Sequence, residues 1–276
     1  MGVKLEDIVK KIGSLPPLPA VAMKLIGLLN NPETKVSELV EIISKDQALT
    51  VDILKIVNSP FYGLRKEIVS ISQAINYLGF MNLKSLLLAL STKKFMQSGD
   101  LKDVILWKHS LATALFSKYI GEKIKVYNPE ELFVTGLLHD IGKTVMRRKI
   151  SHVYDPIIDE AYSAGKHFEE LEKAVLGFSH SDVGMFLVQE WNLGERMKTV
   201  IFYHHHPELA ENFNQETAVV FLADQLSNYN GFGFYRDFSI SYNEAMLNVL
   251  GLDEAAIGQF NEEYKDKIED EIGVFL

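Results

Sequence analysis

The chain has 276 residues, of which 47% are hydrophobic, so it can bury a large core as one domain or as two lobes. It contains no cysteine, which excludes disulfides, iron–sulfur clusters and thiolate zinc sites and restricts any metal to nitrogen and oxygen ligands. The net charge of -9 argues against a broad contact with nucleic acid, although a small basic patch at residues 143–149 could meet one anionic ligand.

The sequence offers no segment for membrane insertion or export. No run of about 18 apolar residues is present, and the stretch from Met1 to Lys11 is charged and amphipathic without a signal-peptide core. We therefore expect a cytoplasmic protein with no membrane partner.

Apolar residues recur at spacings of three and four along most of the chain, which predicts an all-α protein. In the first half, the predicted helices are Leu18–Asn30, Lys35–Ser44, Asp46–Val57, Ser72–Leu78, Asn82–Met96, Val104–Lys125 and Pro129–Arg148. In the second half, they are Phe168–Leu176, Ser181–Trp191, Glu195–His204, Glu216–Asn228, Tyr242–Leu250 and Asp253–Ile272.

Two polar segments interrupt this pattern and suggest a division of the chain. Residues 97–103 are the expected boundary between lobes, and residues 228–237 are an expected surface loop. We therefore predict an N-terminal helical lobe at 1–98, a metal-binding helical core at 99–230 and a C-terminal helical extension at 231–276.

The adjacent pair His139-Asp140 lies within the predicted helix Pro129–Arg148, which is apolar in nearly every direction around its axis. Both side chains are therefore expected in the core. A carboxylate without a partner there is costly, and a divalent cation shared with other ligands would offset that cost. For an isolated pair, a buried hydrogen bond between His139 and Asp140 would be the simpler interpretation.

A second pair of candidate ligands begins the triplet His204-His205-His206. Consecutive helical residues diverge by about 100°, so two neighbours can address one site from a helix end while the third points away. We expect His204 and His205 to face inward and His206 to face solvent. Alternatively, histidines at an exposed helix end would only complement the helix dipole.

Three further residues of ligand type stand in apolar surroundings. His109 and Asp224 interrupt apolar helical stretches, and His180 follows Gly177 where a helix begins. Each alone is more often a core or capping residue, but their combination with the two pairs favours a single site for divalent metal ions. The predicted ligands are His109, His139, Asp140, His180, His204, His205 and Asp224.

The order of these ligands resembles the HD superfamily of metal-dependent phosphohydrolases. Further segments resemble the motifs of the HDOD family, over roughly residues 8–230. They are LPPLP at 15–19, ISKDQALT at 43–50, NSPFYG at 58–63, AINYLG at 74–79, WKHS at 107–110, GLLHDIGK at 136–143, Glu172 with Gly177 and His180, and Ala223-Asp224. We interpret residues 58–63 as a helix stop followed by a turn, in preference to a ligand contact.

The resemblance implies an HD-type helical bundle with an N-terminal helical lobe packed against it. It also implies two ion positions. One ion would be held by His109, His139, Asp140 and Asp224, and the other by His180, His204 and His205, with Asp140 bridging. Lys143, one turn beyond Asp140, would face a phosphate, which gives Asp140 and Lys143 the catalytic roles if hydrolysis occurs.

The resemblance leaves the function open between two classes. HDOD proteins are associated with bacterial signalling and gene regulation, which favours a regulatory module that retains a mononuclear or binuclear metal site. The alternative is a phosphodiesterase or nucleotidase that uses a metal-bound water, and an empty scaffold is a third interpretation. Expected cofactors are one or two divalent ions of iron, manganese, zinc or nickel, and expected partners are signalling proteins or a nucleotide or phosphate ligand.

Two departures from metal-dependent relatives bear on the substrate. The segment after the paired histidines, HHHPEL at 204–209, lacks the Gly-Tyr-Pro sequence of the HD-GYP group. Ile105 stands where trinuclear members place a metal-binding glutamate. We therefore expect neither hydrolysis of cyclic di-GMP nor a third metal ion.

Overall fold

A computed structural model describes residues 3–59, 62–96, 100–126, 128–212, 214–234, 239–240, 242 and 244–276 of the chain. These residues form helices and no β-strand, which confirms the prediction of an all-α fold. In the same residues, no helix is both long enough and apolar enough to cross a membrane.

Most of the α-helices match predicted segments. In chain order they are α1 Leu5–Ile12, α2 Ala20–Leu29, α3 Val36–Ser44, α4 Gln47–Val57, α5 Ile71–Met96, α6 Leu101–Lys123, α7 Pro129–Leu138, α8 Ile141–Ala164, α9 Phe168–Leu176, α10 His180–Glu190, α11 Glu195–Tyr203, α12 Asn214–Tyr229, α13 Glu244–Leu250 and α14 Glu254–Phe275. A short 3₁₀ helix at Pro207–Leu209 lies between α11 and α12. Helix α1 was not predicted, and it buries Ile8 and Ile12.

Two predicted interruptions are confirmed in the first third of the chain. Helix α5 is broken at Gly79, whose φ of 72° lies in the left-handed region that glycine tolerates. Helix α4 ends before Asn58, whose side-chain amide donates to the carbonyl oxygens of Leu54 and Ile68 and accepts from the backbone N–H of Ile68. Asn58 therefore closes the loop that follows the helix; residues 60 and 61 of this motif lie outside the described residues.

The prediction of one continuous helix over Pro129–Arg148 is wrong. Helix α7 ends at Leu138 and α8 begins at Ile141, because Asp140 adopts φ -100° and ψ 13° and leaves the helical conformation. The apolar pattern continues across this break, since both sides of the turn are buried. The predicted burial is confirmed: His139 is 0% exposed and Asp140 is 2% exposed.

The contacts between residues divide the chain into two compact units. The first comprises the chain up to Pro17 together with Met96–Glu263, and the second comprises Leu18–Phe95 together with Tyr264–Leu276. All the predicted metal ligands belong to the first unit. The predicted lobe boundary at 97–103 begins next to the division at Met96, but residues 97–99 lie outside the described part. The division into three segments stays a prediction.

Within the first unit, close helix packing brings the ligand-bearing segments together. Helix α6 packs against α7 and α12, and α10 packs against α8 and α11. Gly136 allows the closest approach of α7 to α6, because a Cβ atom there would lie 2.9 Å from the carbonyl oxygen of Thr113 and 3.0 Å from Cα of Ala114. This contact lies one turn before His139 and fixes the position of the turn that follows.

Candidate metal centre

The predicted ligands converge on one buried cluster, although they come from distant parts of the first unit. His109 lies within α6 and Asp224 within α12, while the others lie at helix ends. The residues at helix ends are His139, Asp140, His180, His204 and His205. All of them except His205 are buried, and His205 is partly exposed.

The cluster separates into two groups, and within each group the ligand atoms lie no more than 4.8 Å from one another. The three-residue group contains His109, His139 and Asp224, and the four-residue group contains Asp140, His180, His204 and His205. Each group offers nitrogen and carboxylate donors of the kind that divalent transition metals bind. Both groups could therefore hold a metal ion.

Asp140 faces both groups, one with each carboxylate oxygen. Its Oδ2 lies 3.6 Å from Nε2 of His109 and 3.5 Å from Nε2 of His139. Its Oδ1 lies 3.2 Å from Nε2 of His180 and 3.7 Å from Nε2 of His204. Asp140 therefore directs one carboxylate oxygen toward each group of histidines.

Four of the histidines are held through Nδ1, which leaves Nε2 facing the cluster. The Nδ1 atoms of His139 and His204 donate to the carbonyl oxygens of Gly136 and Ile201, each three residues earlier in the chain. Nδ1 of His109 donates to the carbonyl oxygen of Phe232 over 2.7 Å. His180 instead donates to a carboxylate, that of Glu172, over 2.7 Å. Because these oxygens only accept, Nδ1 carries the proton and Nε2 of a neutral ring carries a lone pair.

Several of these inward atoms lack a hydrogen-bond donor of their own, which fits a cation. Nε2 of His139 and Oδ1 of Asp140 are buried and make no hydrogen bond within the described structure. Nε2 of His180 lies 3.3 Å from Nε2 of His204, so two lone pairs face each other, and 2.9 Å from Nε2 of His205. Buried groups of this kind are normally satisfied, and a metal ion in each ligand group would accept the lone pairs of that group. The residues present therefore fit a divalent metal.

The electrostatics of the cluster favour the protonation states that bind metal. Burial, followed by the charges of neighbouring groups, lowers the pKa of His204 to about 3, and burial also lowers the pKa of His139 and of His205. Burial raises the pKa of Asp140, but opposing interactions, the largest of them with the charge of Lys143, outweigh it and hold that pKa well below its usual range. Neutral imidazoles and an ionised carboxylate are the forms that coordinate cations.

The pair His109 and Asp224 behaves differently because the two side chains are hydrogen-bonded over 3.0 Å. Burial alone would lower the pKa of His109, but the hydrogen bond and the charge of Asp224 raise it. Burial likewise opposes ionisation of Asp224, and the hydrogen bond from His109 lowers its pKa to about 2. A metal ion bound at this group would displace the proton of His109.

A cleft of about 510 Å³ opens onto the cluster and reaches His109, Asp140, His205 and Asp224. Lys143 also lines it, and its Nζ donates to Oδ2 of Asp140 over 2.7 Å. The same ammonium lies 4.4 Å from the centre of the Phe168 ring, and Lys143 as a residue is 6% exposed. The cleft thus brings a cation beside the candidate metal ligands at a surface that a small ligand can enter.

Two functional residues were not assigned a role from the sequence. Glu172 was noted only as part of the HDOD-like motif, and Tyr154 was not singled out. Glu172 accepts from Nδ1 of His180, and the Tyr154 hydroxyl donates to the other oxygen of Glu172. His206, predicted to face solvent, has a side chain 47% exposed and contacts Glu169 over 2.9 Å. No periodicity signal marks Tyr154, because its partner Glu172 lies 18 residues away in another helix.

A helical bundle with a buried His/Asp cluster that could hold metal ions is the class of protein that this fold and site define. Among solved structures, an HDOD domain protein of unknown function from Geobacter sulfurreducens is similar, with 25% identity, a TM-score of 0.85 and coverage of 98% of this chain and 96% of that one. A Shewanella amazonensis protein described as a "Putative phosphohydrolase" shares the fold at 22% identity, with a TM-score of 0.75 and coverage of 98% and 96%.

The sequence profile of the HDOD domain matches residues 15–207. The chain therefore belongs to the HDOD family. An uncharacterized protein of Treponema pallidum is 27% identical over 223 residues, which are 79% of this chain and 43% of that protein. The chain thus spans less than half the length of this relative, and it also spans only 35% of the protein YuxH of Bacillus subtilis, over the part where the two are 29% identical.

Proposed function

We propose that the chain holds two divalent transition-metal ions, one in each ligand group, with Asp140 between them. The observation that supports this is the placement of the two Asp140 oxygens, each within 3.7 Å of the Nε2 atoms of a different pair of histidines. Imidazole and carboxylate ligands suit iron, manganese, zinc and nickel, and availability decides among them.

The open cleft favours hydrolysis of a phosphate ester over a purely structural role for the ions. A structural metal site is normally closed, whereas a catalytic site keeps a position open to substrate. When bound, a pair of divalent ions lowers the pKa of a coordinated water and neutralises charge on phosphate oxygens. Lys143 lines the same cleft and would bind a phosphate oxygen electrostatically, because its ammonium stays charged beside Asp140.

Within the proposed reaction, the protein side chains bind and orient. Asp140 holds both ion positions and also accepts the hydrogen bond of Lys143, so it fixes the cation of the cleft relative to the ligand cluster. Phe168 packs over the ammonium and limits its movement. These contacts fix the Lys143 ammonium in the cleft before a substrate binds. A preorganised positive charge of this kind stabilises the negative charge that develops on the phosphate oxygens during hydrolysis.

A regulatory module is the second candidate. The second compact unit, Leu18–Phe95 with Tyr264–Leu276, contributes none of the candidate ligands. A unit of this size that takes no part in the site is available for other contacts, which favours a signalling role for it. The absence of a Gly-Tyr-Pro segment further disfavours cyclic di-GMP as the substrate.

The test combines metal analysis with a substrate screen. Protein purified without an affinity tag is analysed for metals, and phosphodiesters, nucleotides and cyclic di-GMP are offered with Mn²⁺ or Fe²⁺ to the wild type, to His139→Ala and to the matched control His152→Ala. His152 is exposed on α8 and belongs to neither ligand group. We expect one or two ions per chain, no turnover of cyclic di-GMP, and turnover of another phosphate ester that only His139→Ala loses.

Other results would decide differently. Fewer than about 0.2 ions per chain, with no uptake of added metal, would contradict the metal site itself. A loaded protein that turns over none of the substrates would favour the regulatory module. Turnover that survives in His139→Ala would place the activity outside this cluster.

A further inference from the structure

His180 differs from the other histidines of the cluster in the group that binds its Nδ1 atom. His109, His139 and His204 donate to backbone carbonyl oxygens, whereas His180 donates to Oε2 of Glu172 over 2.7 Å. The same oxygen accepts the backbone N–H of His180 over 2.8 Å. Glu172 therefore holds both the main chain and the ring of this one residue.

The other oxygen of Glu172 is also held. Oε1 accepts the hydroxyl of Tyr154 over 2.5 Å, so the carboxylate cannot rotate without breaking a hydrogen bond. Glu172, Tyr154 and His180 are each 0% exposed, and they lie on α9, α8 and α10 respectively. Three helices thus meet in one fully buried chain of hydrogen bonds that ends at Nε2 of His180, 3.2 Å from Asp140.

The use of a buried glutamate here needs a physical reason, because a backbone carbonyl serves the other three rings. Its described hydrogen-bond partners are a phenol, an amide and an imidazole, while the Lys143 ammonium interacts with Glu172 through its charge and donates its hydrogen bond to Asp140. Burying a carboxylate without a directly bound cation is costly. The cost is offset when the imidazole that it binds carries positive charge at its opposite nitrogen, as an imidazole bound to a metal ion does.

We propose that Glu172 is a positioning residue that fixes His180 in the Nδ1–H tautomer, aims its Nε2 at Asp140 and makes that nitrogen a stronger donor to a cation. Tyr154 supports it by fixing the carboxylate. The inference rests on the proposed metal function and deepens it, because it makes His180 the ligand whose strength the protein adjusts. The proposal assigns no contact with a substrate to Glu172 or Tyr154.

The substitution Glu172→Gln tests the charge with little change of shape. The amide oxygen still accepts both N–H groups of His180, and the amide N–H donates to the Tyr154 hydroxyl. The matched control is Asp182→Asn, which removes a different buried carboxylate near the start of α10, the helix that begins with His180. Asp182 is 6% exposed and accepts from the backbone N–H and the hydroxyl of Ser179, over 2.8 and 2.9 Å, without binding the His180 ring.

The first measurement is the affinity for Zn²⁺, by competition with a chromophoric chelator, alongside the melting temperature. We expect Glu172→Gln to bind Zn²⁺ about tenfold more weakly, at the lower end of the range for such outer partners of a metal ligand. Tyr154→Phe should lose less, and Asp182→Asn should lower the melting temperature with little change in affinity. Equal losses of affinity in Glu172→Gln and Asp182→Asn would show that only the integrity of α10 matters and would overturn the proposal.

The second measurement reads the tautomer directly in metal-free protein. Ring-¹⁵N histidine labels all eight histidines, and His180→Gln identifies the signal of His180. We expect the Nδ1–H tautomer in the wild type and a mixture of tautomers in Glu172→Ala. An Nε2–H ring in the wild type would overturn the proposal even if no Glu172 variant folds. If the wild type takes up no Zn²⁺, the metal function fails, while this spectrum still decides whether Glu172 positions His180.

Discussion

Replacing Gly142 with alanine would place a methyl group where the backbone of His180 already lies. The new Cβ atom would be 2.8 Å from the carbonyl carbon of His180, 3.0 Å from its Cα atom and closer still to its carbonyl oxygen. Carbon atoms in contact normally stay at least about 3.5 Å apart, so the backbones must separate by roughly 0.7 Å or more. No side-chain rotation relieves this contact, because the atoms that it meets belong to the main chain.

The displacement should reduce both stability and metal affinity. Overpacking typically costs about 1–3 kcal/mol, and a rigid backbone contact favours the upper end; the roughly 1 kcal/mol that alanine gains in a helix reduces the net loss to about 2 kcal/mol. For a chain of this size, this corresponds to a fall of roughly 4–8 °C in melting temperature. Asp140 and His180 lie on opposite sides of the contact, and metal ligands tolerate only about 0.2 Å, so affinity for Zn²⁺ should fall as well.

The matched control is Gly258→Ala in α14, where a Cβ atom would meet nothing within 4 Å. This variant should be neutral or more stable by up to about 1 kcal/mol, because alanine favours the helix. Melting temperature and Zn²⁺ competition are measured for both variants. A Gly142→Ala protein that melts like the wild type and binds Zn²⁺ equally well would refute the argument that this contact sets the ligand geometry.

Two further predictions concern the conditions around the cluster. Chelation should lower the melting temperature, since a ligand at 100 times its Kd stabilises the fold by about 2.7 kcal/mol, and Asp140→Ala should remove most of that response; an unchanged melting curve after verified metal removal would contradict a stabilising ion. Metal-free protein should lose stability in acid, because His204, with a pKa of about 3 when folded and 6.5 when unfolded, takes up a proton only on unfolding between these values. The loss from His204 begins below pH 6.5 and reaches about 2 kcal/mol at pH 5, with His139 and His205 acting in the same direction and His109 opposing them. The midpoint of urea unfolding at pH 7.5 and at pH 5 measures this effect, and a midpoint that does not fall would exclude it.

The sequence alone was sufficient to predict most of the helices and the residues that make up the cluster. Apolar spacing located most helices within a few residues, and ligand-type side chains in apolar surroundings identified every member of both groups. Helix α1 was missed because its charged residues dominate the pattern, while burial of Ile8 and Ile12 depends on packing within the first unit. Periodicity shows that a face is apolar but does not show what will cover it.

The partners of the ligands were harder to predict than the ligands. Two of them are local, since His139 and His204 each donate to a carbonyl oxygen three residues earlier, which any helix end supplies. The partner of His109 is the carbonyl oxygen of Phe232, 123 residues away, and any residue type provides such an oxygen. Glu172 carries a distinctive side chain, but its spacing from His180 has no meaning until α9 and α10 are placed.

Helices α7 and α11 end next to the two adjacent pairs of ligands, where a break in the helix allows both side chains of a pair to face the same cluster. In a continuous helix, consecutive side chains diverge by about 100°, so His139 and Asp140 would point to different surroundings. The chain instead leaves the helix at Asp140, which brings Oδ2 of that residue within 3.5 Å of Nε2 of His139. The same argument, applied to His204 and His205, gave the correct expectation of a helix end, and α11 ends at Tyr203 with the two rings 3.9 Å apart. An adjacent pair of ligand-type residues inside an apolar pattern therefore predicts a break in the helix, even where the apolar spacing continues unbroken through the turn.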